Sequence, residues 1–266
     1  MSCVGMKKNV FVSLMIYSII DDMEEFAGYF FAGTIVSGKI FSECEDGHMS
    51  KAYMKKIVCF GDSNTYGYNA KTIDRFTEEE RWTCLLSKHL GGDYHVVEEG
   101  LEGRTTCLDD PLFEGLCGFR YLYPCLMTHK PVDLLLIMLG TNDVKQRFSC
   151  TPENVAKGME RLAQKAIDSK IAFRDGKPNI LLIAPPAIAP DYRDTSVYGE
   201  MGDGCDVRSR ALAPLYEQVA KNLGCHYLDA GQIPGVEMNP YDFMHLSLQA
   251  HSAFAKYLAE MIPSLI

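Results

Sequence analysis

A serine hydroxyl attacks a carbonyl only when a neighbouring base removes its proton. Ser63, in Gly61-Asp62-Ser63-Asn64, follows a short apolar run and is flanked by Gly61 and Gly67. That placement puts it in a strand-to-helix turn, where a helix start helps hold a developing anion. It could equally be the cap of that helix. A base for it is offered by Asp242-Phe243-Met244-His245. Three residues of spacing on one turn let the carboxylate hold the imidazole in one tautomer and free the other nitrogen to face a serine. His89, His129 and His226 lack an acid three residues before them, and His251 falls on a helix interior. A tetrahedral intermediate also needs donors for its oxyanion. Gly103, in Gly100-Leu101-Glu102-Gly103-Arg104-Thr105-Thr106, can bring a backbone amide close because it has no side chain. Asn142, in the turn Gly140-Thr141-Asn142-Asp143, can offer its side-chain amide. Ordinary turn chemistry is the alternative for both.

The elements around these residues decide between the readings. Five apolar runs, Ile57–Phe60, His95–Val97, Leu134–Leu139, Ile180–Ala184 and Tyr227–Leu228, are short and bounded by turn residues, as buried strands are. Between the third and fourth lies a helix with Thr151 as its cap and Pro152 at its first position. Val155, Met159, Leu162, Ala163, Ala166 and Ile167 form its apolar face. A second periodic stretch carries Leu212, Leu215, Tyr216, Val219 and Leu223 and stops at Gly224. A third follows Ser247 with Ala250, Phe254, Leu258 and Met261. Strands alternating with helices predict an α/β, three-layer, flavodoxin-like sandwich around a five-stranded parallel sheet. Ligands collect beyond the carboxyl ends of such strands. Ser63 follows the first strand, Gly103 the second, Asn142 the third, and Asp242 and His245 the fifth, so all fall on one edge of the sheet. Residues 185 to 206 read as one long irregular insertion.

These four blocks, in this order, resemble those of the SGNH/GDSL hydrolase family, and the resemblance covers nearly all of residues 54 to 266. It implies Ser63 as nucleophile, Asp242 and His245 as the acid-base pair, and an oxyanion hole of the Ser63 amide, Gly103 and Asn142. It implies no metal and no organic cofactor. Asn64 stands where Leu is commoner, a change read as tolerated. Within the family the chain is most similar to the mycobacterial-type arylesterase and acyltransferase, through Arg81-Trp82, Glu98-Glu99-Gly100-Leu101, Arg104-Thr105-Thr106, Asp110-Pro111 and Ile137–Asp143. Tyr66 and Tyr68 replace tryptophans of that enzyme type, which bears on the acyl pocket and on transfer against hydrolysis. The expected activity is hydrolysis of short acyl, acetyl-type esters through an acyl-enzyme, with acyl transfer as a further outcome. A carbohydrate deacetylase, a thioesterase or a lysophospholipase would use the same chemistry. A catalytically silent flavodoxin-like binding module is the rival of another class, although Asp62 would repel the phosphate such a module binds. The resemblance also implies self-association into a homo-oligomer.

Bulk properties set the remaining limits. The 266 residues are 47% hydrophobic and 23% charged, enough for a sizeable core. A net charge of -9 argues against nucleic acid as a partner and suits a small neutral ester. The 10 cysteines contain no Cys-x-x-Cys pair and are read as lacking a histidine at ligand spacing, so a zinc site is not expected. They read as reduced thiols, hence a cytoplasmic location. Residues 1 to 53 read as an N-terminal extension to the esterase domain at 54–266. Lys7-Lys8 and the apolar run Val10 to Ile20 mimic a signal peptide. Acidic residues follow at once, however, and the run is shorter than the roughly 20 residues of a membrane span. A chain beginning at Met54 is expected to be soluble and to keep its esterase activity, because every block and every predicted strand follows it. Insolubility or lost activity in such a chain would show that the first 53 residues complete the core or an interface.

Overall fold

Alternate residues of each central strand serve opposite layers, and this builds the sandwich. The computed structural model describes residues 53–266. The readings of the N-terminal segment, as extension or as secretion signal, fall outside the described residues. Strands β1 (Lys55–Gly61), β2 (Tyr94–Gly100), β3 (Leu134–Met138), β4 (Ile180–Ala184) and β5 (His226–Asp229) form one parallel sheet in the order β2-β1-β3-β4-β5. The helices are α1 (Ser63–Tyr66), α2 (Trp82–Leu90), α3 (Gly118–His129), α4 (Pro152–Asp168), α5 (Tyr198–Met201), α6 (Cys205–Arg210), α7 (Leu212–Leu223) and α8 (Leu248–Met261). Val58, Phe60, Leu135, Ile137 and Leu182 belong to the core shared with α3, α4 and α7. Ile57, Cys59, Leu134, Leu136, Leu181 and Ile183 belong to the core shared with α2 and α8. Strands buried on both faces lack the apolar-polar alternation of a half-exposed sheet, which is why they read as continuous apolar runs.

The predicted helix signals act as expected. The Thr151 hydroxyl accepts from the Asn154 amide at 3.3 Å, and the Ser247 hydroxyl from the Ala250 amide at 3.1 Å. Gly224 ends α7 in the left-handed conformation at φ 68°. Neither α2 nor α3 has a side-chain cap at its start, and Pro124 lies inside α3; α2 ends on Gly91 at φ 75°. The segment read as an irregular insertion holds a short 3-10 turn at Pro190–Asp194, then α5 and the start of α6. Tyr192, Met201 and Cys205 bury it on the same core, and the Tyr192 hydroxyl donates to Gly202 O at 2.6 Å. Among the described residues no helix is long and apolar enough to cross a membrane.

At the carboxyl edge of the sheet the core turns polar. Asp62 and Asp143, which follow β1 and β3, are both buried. Asp143 accepts from the Thr106 amide at 3.0 Å and from its hydroxyl at 2.6 Å. Asp62 Oδ1 accepts from the Asn64 amide at 3.0 Å, while Oδ2 has no partner among the described residues. Burial raises each carboxyl to about 6, in spite of these donors. The Arg104 guanidinium stacks 4.2 Å from the centre of the Phe60 ring and donates to Gly61 O at 3.0 Å. Burial lowers its own pKa.

A carboxyl whose folded pKa exceeds its unfolded one holds its proton more tightly when folded. Its stabilisation is therefore complete below the ordinary value of 3.8 and is lost as pH rises through about 6. For Asp62 the loss between pH 4 and 7 is on the order of 3 kcal/mol. Asp62→Asn keeps an acceptor for the Asn64 amide and removes the titration. Urea unfolding at a series of pH values should show a flatter stability profile for the variant across that window. Parallel profiles for variant and parent would place the buried charge elsewhere.

Candidate active site

Close packing of α1 against the sheet edge places the serine. A Cβ on Gly61 would meet Thr65 Cβ at 2.7 Å, and one on Gly100 would meet the Thr65 carbonyl carbon at 2.6 Å. Glycine at the ends of β1 and β2 is what lets the helix approach. Asp62, and not Ser63, is the cap of α1, and Ser63 is its first helical residue. The capping alternative for Ser63 therefore falls away, and its hydroxyl is free for another partner.

That partner is His245. Ser63 Oγ lies 2.8 Å from His245 Nε2, and His245 Nδ1 lies 2.6 Å from Asp242 Oδ2. An imidazole facing a carboxylate through Nδ1 carries its proton there, so Nε2 offers the lone pair that accepts the serine hydroxyl. The second carboxylate oxygen, Oδ1, accepts from the Met244 and His245 amides at 3.0 Å each and from Asn239 Nδ2 at 2.9 Å. Burial pushes Asp242 up, but the imidazole and these donors outweigh it and hold the carboxyl at about 2. Phe243 takes the left-handed conformation at φ 60°, uncommon for a bulky residue, so that the chain closes the turn. Asn239 ties both ends of that turn, because its amide nitrogen Nδ2 also reaches His245 O at 2.8 Å. The sequence reading missed Asn239; an Asx turn three residues ahead of a candidate acid is the signal that could have found it.

The two remaining candidates converge on the same place. Gly103 adopts φ 78°, and Asn142 Nδ2 donates to Arg104 O at 3.2 Å, so the two turns are bound to each other. Among the described residues the amides of Ser63 and Gly103 have no hydrogen-bond acceptor. Ser63, Gly103, Asn142 and His245 line one cleft of about 500 Å³. Its apolar walls come from Phe113, Leu116, Val197, Met201 and Met244, and its polar rim from Glu102, Glu114, Lys145 and Glu200. The Tyr68 ring covers the His245 ring at 4.5 Å between centres. Tyr66 is taken up by the Arg75 guanidinium, 4.4 Å from its ring centre.

The former insertion supplies one wall, and a charge network holds it. Glu200 Oε1 meets Lys145 Nζ at 3.0 Å and Arg147 Nη2 at 2.6 Å, and Arg147 reaches on to Asp110 at 2.7 Å. Three loops are clamped in this way. Sequence alone offers no signal for it, because the partners are 37 to 55 residues apart.

His251, the alternative histidine, is buried on α8; its Nδ1 accepts from the Trp82 amide at 3.1 Å. Burial lowers its pKa to about 3, so it stays neutral. One group among the described residues has metal-ligand chemistry: Glu99, Cys125 and His129, whose ligand atoms lie within 4.8 Å of one another. The sequence reading passed over Cys125 and His129, which are one turn apart on α3. His129 Nε2 is already bonded to Glu99 at 2.6 Å, and Lys56 Nζ donates to His129 O at 2.8 Å. Arg104 donates to the Glu99 carbonyl. Burial holds the Cys125 thiol protonated, up to about 12. His129 and Glu99 are thus already bonded to each other, and Lys56 and Arg104 bond the backbone carbonyls beside them. The eight described cysteines are all free thiols.

Comparison with known proteins gives this geometry a context. No curated protein matches the chain. Solved structures do. The native aryl esterase of M. smegmatis is 35% identical with a TM-score of 0.74, covering 80% of this chain and 100% of its own. A carbohydrate acetylesterase from Sinorhizobium meliloti is 33% identical with a TM-score of 0.73, over the same shares. A putative arylesterase from Agrobacterium tumefaciens is 36% identical with a TM-score of 0.71, again over 80% and 100%. The profile of the GDSL-like lipase/acylhydrolase family matches residues 59–253, which takes in every block described above. The chain belongs to that family, has its SGNH hydrolase fold, and is a carboxylic ester hydrolase.

Proposed function

We propose that this enzyme hydrolyses short acyl esters of neutral alcohols through an acyl-enzyme on Ser63. The observation that carries the reading is the unbroken hydrogen-bond path Ser63–His245–Asp242, at 2.8 and 2.6 Å, opening into a cleft that Asn142 and Gly103 also line. His245 Nε2 takes the Ser63 proton as Oγ bonds to the ester carbon, and the carbonyl electron pair moves to its oxygen. The Ser63 and Gly103 amides and Asn142 Nδ2 receive that oxyanion. Its collapse breaks the bond to the alcohol, which leaves with the proton from His245. A water then repeats the sequence, losing its proton to His245, and frees the acid and the serine. An alcohol in place of that water would complete acyl transfer. Asp242 stays ionised throughout and orients the imidazole.

The cleft also supports a substrate class. Its apolar walls suit a small acyl group, and a rim with three carboxylates and one lysine disfavours anionic substrates. Acetyl esters of aryl alcohols or of sugars fit that description, and the similar proteins include an aryl esterase and a carbohydrate acetylesterase.

A fluorophosphonate probe should label Ser63 and no other residue. Ser63→Ala should abolish the label and cut nitrophenyl acetate hydrolysis by roughly a millionfold. Asn142→Ala should lower kcat by roughly a hundred- to a thousandfold with little change in KM, since its bond forms mainly in the transition state. A serine variant with more than about one per cent of the activity would exclude Ser63 as the nucleophile. A parent protein that resists the probe would favour a silent binding module.

A further inference from the structure

The Asp242–His245 turn is rigid within itself, but its internal bonds do not set its distance from Ser63. Asn239 and the amides of Met244 and His245 hold acid to base; none of them reaches the nucleophile turn. Among the described residues, three hydrogen bonds join residues 61–67 to residues 242–247. One is the Ser63–His245 bond itself. The other two belong to Asn64. Its Oδ1 accepts from the Leu246 amide at 2.8 Å, and its Nδ2 donates to Met244 O at 3.4 Å. These partners are the residues immediately before and after His245.

Asn64 is 1% exposed and does not line the cleft. Its main chain is engaged as well: the amide donates to Asp62 Oδ1 at 3.0 Å, and the carbonyl accepts from Trp82 Nε1 at 2.9 Å. Every polar group of the residue thus has a partner, and the side chain is committed to one loop 180 residues away in sequence. A leucine of similar size could fill the space but would leave the Leu246 amide and the Met244 carbonyl unpaired and buried. We infer that Asn64 is a positioning residue for the reaction, a two-point clasp that sets the base at hydrogen-bonding distance from the nucleophile. The inference rests on the reading of Ser63 and His245 as the catalytic pair. It gives a role to the residue at which the sequence departs from the commoner leucine.

The test uses the full chain with Asn64→Leu and Asn64→Asp, the second of which keeps the acceptor for the Leu246 amide. Rate and stoichiometry of fluorophosphonate labelling are followed together with kcat and KM on nitrophenyl acetate. Trp82, the single tryptophan of the sequence, reports through its emission whether the surrounding packing survives. Asn64→Leu should label and turn over about ten- to a hundredfold more slowly, the cost of a small misplacement of reacting groups. KM should stay nearly unchanged, the label should still reach one per chain, and the Trp82 emission should be that of the parent. Asn64→Asp should be faster than Asn64→Leu. If the leucine chain does not fold, Asn64→Ala, which clashes with nothing, carries the same test. Labelling at the parental rate would overturn the inference, and so would a parental rate reached by only a fraction of the chains, which is lost stability alone. An aspartate variant no faster than the leucine one would also overturn it. Failure of the parent protein to label Ser63 would instead remove the catalytic reading on which the inference stands.

Discussion

The constraint on which this site depends is the near-contact of a four-residue helix with the ends of two strands. Helix α1 lies so close to β1 and β2 that neither Gly61 nor Gly100 has room for a Cβ. That proximity raises the serine at the sheet edge and brings Asp62 into the interior, where its carboxylate closes the first turn of the helix. It also brings the loop after β2 over β1, since Leu101 N donates to Gly61 O at 3.1 Å and Arg104 reaches the same oxygen. One crowded junction therefore orders both Ser63 and the turn that carries Gly103. Were α1 an ångström further out, the 2.8 Å Ser63–His245 bond would be lost.

The carboxylates of this region show how much the surroundings decide. Asp242 and Asp62 are both buried, Asp62 the more deeply, and one is held at about 2 while the other rises to about 6. Deeper burial raises Asp62, and the donors widen the gap. Asp242 receives three hydrogen bonds on one oxygen and an imidazole on the other, whereas Asp62 has one amide on Oδ1 and nothing on Oδ2. The carboxylate that would orient a base is given donors on both oxygens; the one that caps a helix is given a single amide.

What could be read from the chain followed the range of the interactions. Thr151, Ser247 and Gly224 act within one helical turn of their own positions, and the helices they bound were legible. Helix α3 was not, because its cohesion comes from Leu122 and Leu126 packing on the sheet and not from a cap. The same rule divides the site. Asp242 and His245 are local partners, and the alternation of strands and helices put them, Ser63, Gly103 and Asn142 on one edge. The clasp of Asn64 on the loop around His245 and the clamp of Glu200 on Lys145 and Arg147 join distant loops and leave no periodic trace. Asn64 was read as a tolerated change because the sequence shows only its neighbours along the chain.

The division of labour between edge and loops carries the functional argument one step further. The groups that would move protons and hold the oxyanion are fixed by short elements on the sheet, with Asp242 bonded on both oxygens and Asn142 bonded to Arg104 O. The walls that would choose the substrate are carried by loops instead. Val197 and Met201 come from the segment between β4 and α7, and Phe113 and Glu114 from the loop before α3. These loops reach the edge through Glu200, Lys145, Arg147 and Asp110, a network in which Glu200 alone is well exposed to solvent. Loops tolerate changes of length and sequence that the sheet does not. Relatives that share this edge can then differ in the alcohol they accept while keeping one chemistry, as an aryl esterase and a carbohydrate acetylesterase of nearly equal similarity to this chain do.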